Sequence, residues 1–188
     1  MFSLPPQAPF GNWNDTRQAA GCEEASAVMA MNWVYNSNLT KNNALIQIIA
    51  ISNFEHNNYG SFYDTSAEDT VKRIFKAYFS YTNVKIKPVL DQKSIIYELN
   101  KNRIIIVPVN GQKLNNPYFT PPGPKRHMLL IIGWNKISQY FITNDPGTKR
   151  GRNFKYKKDI LYDAIRNYET GNNIPIKDTK KVMIVVKR

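Results

Sequence analysis

An α+β fold is the expectation from this sequence, and three observations carry it. Apolar residues recur at helical spacing up to about residue 80. From residue 84 onward the dominant patterns are apolar/polar alternation and β-branched runs. The helical pattern comes first and the strand pattern after it, an order that indicates α+β.

The first ~20 residues are rich in Pro, Gly, Asn and Asp and read as extended loop. Glu23 to Tyr35 is nearly all small or apolar, as in a helix buried on most sides, with Gly21 and Cys22 at its start. Thr40 can cap a second helix carrying Leu45, Ile48, Ile49 and Ser52. Asn57 to Thr65 reads as a polar, aromatic loop. Ser66-Ala67-Glu68-Asp69 resembles a capping box ahead of Val71, Ile74, Phe75 and Tyr78 at helical spacing. Val84 to Val89 alternates as a half-buried strand, and Asp91 can start a short helix with Ile95, Ile96 and Leu99. Ile104 to Val109 is a β-branched run, expected as a central strand. Gly111 to Arg126 is a long Pro/Gly-bearing loop, of a length that is often functional. Met128–Ile132 and Tyr140–Thr143 predict a hairpin around Asn135-Lys136, and Phe154 and Tyr156 another strand. Asp159–Tyr168 predicts a helix, and Val182–Val186 a closing strand.

The chain has 188 residues and a formal net charge of +12. Residues 1–94 hold eight Lys/Arg and eight Asp/Glu, residues 95–188 eighteen and six, so the second half carries all the excess. Such a surface favours anionic partners; a merely solubilising role is the plain alternative. No stretch approaches the ~18 apolar residues of a membrane-spanning helix. Met1 to Gly11 has no basic region and carries Pro5, Pro6 and Pro9, so it does not read as a signal peptide. One cysteine excludes an internal disulfide. Two histidines about 70 residues apart offer no metal-ligand spacing, and no cofactor fingerprint is present, so neither metal nor cofactor is expected.

Chemistry narrows to few residues. Cys22 opens a helix, where unpaired N–H groups favour a thiolate, while Glu23 and Glu24 oppose it. Taken alone, Cys22 reads first as a small buried apolar residue. His56 is expected in a polar Asn-rich loop and reads as a surface residue. His127 follows the Pro/Gly-rich loop and opens an apolar strand, which supplies rigid support and access, although a strand-edge histidine with no role fits too. Asp145, in Asp145-Pro146-Gly147, suits a tight turn and also suits a carboxylate that accepts the histidine ring N–H. A cysteine, a histidine and a carboxylate spread along the chain form the layout of a cysteine nucleophile with base and orienting group.

The blocks Gln7-Ala8-Pro9-Phe10-Gly11-Asn12-Trp13, Gly21-Cys22-Glu23-Glu24-Ala25-Ser26, Arg126-His127-Met128-Leu129-Leu130-Ile131-Ile132-Gly133-Trp134-Asn135 and Tyr140-Phe141-Ile142-Thr143-Asn144-Asp145-Pro146-Gly147 resemble the bacterial papain-like cysteine peptidases related to bacteriocin leader-processing (double-glycine peptidase-like) domains. The family pattern often has Gly after the cysteine, where this chain has Glu23. The resemblance implies one papain-like domain over residues 1–188. Residues 1–82 would be mainly loop and helices, and 83–188 mainly antiparallel sheet. It implies Cys22 as nucleophile, His127 as base, Asp145 as orienting residue and Gln7 as oxyanion donor, with Gln18 a rival for that last role. The substrate would be a peptide or protein and the molecule a monomer. An export or anchor segment ahead of this chain would place it outside the cytoplasm; the compartment stays open. The expected reaction is peptide hydrolysis through a thioacyl-enzyme, with a thiol that alkylates faster than free cysteine at pH 6. The alternatives are a catalytically idle binding module that uses the basic half, and a cysteine acyltransferase.

Overall fold

The computed structural model describes residues 5–188, so the start of the expected N-terminal loop, Met1–Leu4, lies outside the described residues. A helical part precedes a six-stranded sheet. The helices are α1 (Thr16–Ala19), α2 (Cys22–Val34), α3 (Lys41–Tyr59) and α4 (Ala67–Asp69), which runs into a π-helical segment, Thr70–Tyr78. The rest comprises β1 (Val84–Pro88), α5 (Gln92–Leu99), β2 (Ile104–Val109), a 3-10 turn (Gly111–Leu114), β3 (His127–Asn135), β4 (Tyr140–Asn144), β5 (Phe154–Lys157), α6 (Lys158–Ala164) and β6 (Val182–Val186). The strands lie in the order β1-β6-β2-β3-β4-β5, every neighbouring pair antiparallel. The α+β expectation holds.

All six residues of β2 are buried because the sheet is covered on both faces. Ile104 and Ile106 join a core with α2, α3 and the π-helical segment, whereas Ile105, Val107 and Val109 join a second core with α5 and α6. Along α2 every residue from Cys22 to Asn32 is buried, so this helix is enclosed by protein rather than laid on its surface. The Ser26 hydroxyl donates to the Met128 carbonyl at 3.2 Å, which pins the first turns of α2 to the start of β3.

Four local expectations are corrected. The extended N-terminal loop contains the short helix α1, because the Asp15 side chain accepts from the Arg17 N–H and caps it. The loop expected from Asn57 begins later: α3 continues to Tyr59 and stops at Gly60, whose φ of 80° is the left-handed conformation of a helix C-cap. The Ser66 cap forms as expected, its hydroxyl accepting from the Asp69 N–H at 3.1 Å, but the segment after it winds as a π-helix. The helix expected to reach Tyr168 ends at Ala164, because Ile165 turns extended and bridges Val109. That early stop lets Tyr168 run back under α2.

Candidate active site

Cys22 is the first residue of α2, where the leading N–H groups have no intrahelical acceptor. Gly21 before it is dictated by space: a Cβ there would stand 2.5 Å from the Arg17 carbonyl oxygen. The thiol is 7% exposed and donates to Glu23 Oε2 at 3.0 Å. Glu23 has no exposed surface, and its Oε1 accepts from the Tyr168 hydroxyl at 2.6 Å. Burial, followed by the Glu23 charge and hydrogen bond and by Asp64 and Glu24, pushes the thiol well above the ordinary cysteine range. The expectation of a resting thiolate is therefore corrected: burial and three carboxylates outweigh the helix N-terminus, and Cys22 rests as a neutral thiol. It should alkylate more slowly than free cysteine at pH 6. Burial also raises Glu23 to about 7, against the opposing hydrogen bonds from Cys22 and Tyr168. Glu23→Gln is accordingly expected to increase iodoacetamide labelling at pH 8 several-fold, since at that pH the wild-type carboxylate is charged and opposes the thiolate. An unchanged rate would mean that burial alone sets the thiol's ionisation.

His127 opens β3, and Asp145 directly follows the adjacent strand β4, so the sheet register brings them together. His127 Nε2 lies 2.7 Å from Asp145 Oδ1. Asp145 also accepts from the Gly147 N–H at 3.0 Å, from the Tyr156 hydroxyl at 2.6 Å and from Asn116 Nδ2 at 3.4 Å. Burial would raise this carboxyl, but the His127 charge and hydrogen bond, the Tyr156 hydroxyl and the Gly147 N–H outweigh it and hold Asp145 below the usual range. An ionised Asp145 selects the tautomer in which Nε2 carries the proton, so that in the neutral imidazole Nδ1 holds the free lone pair. The Phe119 ring meets the imidazole edge-on, with centroids 5.4 Å apart. On the other flank a Cβ on Gly147 would approach His127 Cε1 to 2.9 Å, so glycine is required there for the ring to fit.

Cys22, His127 and Gln7 line one cavity of about 660 Å³, together with Trp13, Asp64 and Phe119. Gln7 is held there by its backbone N–H, which donates to the Pro146 carbonyl at 2.9 Å. Its side-chain amide donates to the carbonyls of Gln18 and Ala19 at 2.9 and 2.8 Å, so both amide protons are engaged. The rival Gln18 is buried, does not line this cavity, and donates to Asp15 at 3.3 Å. His56 is exposed on α3 rather than in a loop. Sequence reasoning missed Tyr156 and Asn116. Tyr156 lies in a strand that alternation reveals, but nothing marks it there as a partner of Asp145; Asn116 carries no signal within its loop. Among the described residues no cluster of His, Cys, Asp and Glu could hold a metal ion, and no helix is long and apolar enough to cross a membrane.

Behind Glu23 lie two further enclosed acids. Glu24 accepts from the Ser52 hydroxyl at 2.9 Å, and Glu55 from the Thr65 hydroxyl at 3.2 Å. The second carboxyl oxygen of each is buried without a partner. Burial first, and then the neighbouring acids, raises both, Glu55 to about 8. The folded chain thus keeps protons that unfolded glutamates release near the usual 4.5. Their contribution to stability is fully present below that value and is lost as pH rises through about 7 and 8, at ~1.4 kcal/mol for each unit of pKa difference. Urea unfolding from pH 5 to 8.5 should show this decline, and Glu55→Gln should flatten it; stability rising over that interval would contradict the assignment.

Residues 6–173 match the Peptidase_C39 like family. A solved structure of a C39-like peptidase candidate from Bacillus anthracis is similar in fold, with a TM-score of 0.51 and 11% identity over 90% of each chain. No curated protein sequence matches the chain.

Proposed function

Because the chain belongs to the Peptidase_C39-like family, we propose that it is a cysteine peptidase acting through Cys22, His127 and Asp145. The observation that carries the reading is the buried His127–Asp145 pair, whose imidazole lines the same cavity as the cysteine at the start of α2. Asp145 fixes the imidazole tautomer and stabilises the imidazolium that forms.

The cycle starts from the neutral Cys22 thiol. As the sulfur attacks the substrate carbonyl, the S–H bond breaks, its proton turns from Glu23 to His127 Nδ1, and an S–C bond forms. The oxyanion meets the backbone N–H of Cys22; each such donor contributes about 3 kcal/mol. Gln7 joins only by releasing one of its two carbonyl partners. His127 returns the proton to the departing amine as the C–N bond breaks. A water, deprotonated by the same nitrogen, then cleaves the thioester and restores the thiol.

The test is incubation with a mixed peptide pool, with new N-termini read by mass spectrometry. Cleavage that requires Cys22 supports the reading. No cleavage, together with a thiol inert to alkylation at every pH where the protein is folded, would instead favour the idle binding module, for which the raised thiol is the one favourable observation.

A further inference from the structure

A second hollow, of about 440 Å³, adjoins the cavity of Cys22 and His127 and shares Lys125, Arg126 and Asn173 with it. Its polar wall consists of Lys125, Arg126 and Arg166 with the amides of Asn110, Gln112 and Asn173, and among the described residues no carboxylate lines it. We propose that this hollow is an oxyanion site that receives the carboxylate of an acidic residue in the peptide substrate. The proposal deepens the peptidase reading and rests on it for the source of the anion.

The two guanidiniums are built in but incompletely matched. Arg166 Nη2 donates to the Lys125 carbonyl at 2.9 Å, and Arg126 Nη2 donates to the Ile174 carbonyl. Arg126 Nη1 lies 3.4 Å from Asp64 Oδ2. The Nε atoms of both arginines are buried without any partner. A guanidinium stays charged in proteins, so a buried Nε–H without an acceptor carries an unrecovered desolvation cost. Burial and the neighbouring Arg126 charge both disfavour the charged form of Arg166. An oxyanion between the two would accept from the guanidinium N–H groups that line the hollow and relieve the repulsion. The planar guanidinium fork matches a carboxylate in two parallel hydrogen bonds. Arg126 immediately precedes His127, so a peptide lying across the imidazole brings a neighbouring side chain within reach of this wall.

Thermal unfolding in sodium glutarate, sodium phosphate and sodium chloride at matched ionic strength tests the site itself. Glutarate and phosphate are expected to raise the midpoint saturably beyond chloride, and Arg166→Gln to weaken that response by about tenfold or more. If Arg166→Gln does not fold, Lys125→Ala, altered at an exposed side chain, carries the same comparison. A midpoint that follows ionic strength alone, or an unchanged response in the variant, would overturn the site. The cleaved peptides in the mixed pool identify the source of the anion: Asp or Glu should be enriched at one fixed distance from the broken bond, and less so with Arg166→Gln. Cleavage without that enrichment would overturn the substrate assignment and leave a site for free anions. A specific anion response in a protein that cleaves nothing would keep the site and overturn the peptidase reading instead.

Discussion

Cys22→Ala is expected to reduce peptide hydrolysis to background, a fall on the order of 10⁶ in kcat where nucleophile and base act as a unit. The protein should stay folded, because the substitution removes one sulfur from a site that opens to the cavity. One side effect needs separating from the chemistry. The thiol is a donor to Glu23 Oε2, and deleting it leaves a buried carboxyl oxygen short of a partner, at a cost of about 1–3 kcal/mol. Cys22→Ser retains a donor there and should lie nearer the wild type in stability while remaining inactive. Since this is the only cysteine, iodoacetamide mass shifts report on it alone and should vanish in both variants. Peptide cleavage that survives in either folded variant would refute Cys22 as nucleophile.

The second large effect belongs to Asp145→Ala. This carboxylate collects His127, Tyr156, Asn116 and the Gly147 N–H in one enclosed network. Removing it strands a buried hydroxyl and leaves an imidazole with no acceptor for Nε2–H. Truncating one partner of a buried pair costs about 3–5 kcal/mol. The loss should appear in denaturant midpoints as well as in turnover, where the misplaced tautomer costs on the order of 10⁴. Tyr156→Phe separates the two effects: it removes only the hydroxyl that steadies Oδ2 and should lower stability more than catalysis. A fully active Asp145→Ala protein would show that His127 is oriented by other means. Because Asp145 is held below the usual carboxylate range when folded, its stabilisation is present above the unfolded pKa near 3.9 and lost as pH falls through the folded value.

The parts of this site that can be read from the sequence are those tied to the ends of regular elements. Cys22 at a helix start, His127 at a strand start and Asp145 just beyond the next strand follow from hydrophobic periodicity and turn chemistry, and the β3–β4 register joins the last two. The run Ile104 to Val109 likewise marks a strand with both sides covered. The remainder depends on distance in three dimensions. Tyr168 meets Glu23 across 145 positions, and Asn116 meets Asp145 across 29, so no local pattern marks either pair. The charge state of the thiol is hidden from the sequence for the same reason. The helix start and the two glutamates are visible as opposing influences, but the depth of burial tips the balance toward the neutral thiol, and only packing sets that depth. Four residues of α1 are too few for periodicity to register against a loop-like composition.

Enclosure of α2 from Cys22 to Asn32 also divides the molecule into parts that can and cannot vary. A substitution beside the sulfur must be absorbed by the interior, whereas the cavity's outer wall, from Phe119 to Arg126 and at Gly147, is loop and turn. Loop positions of this kind, with Trp13, Tyr63, Asn172 and Asn173 also on the lining, are where what the cleft admits can diversify, and the nucleophile's own helix is the component least free to drift.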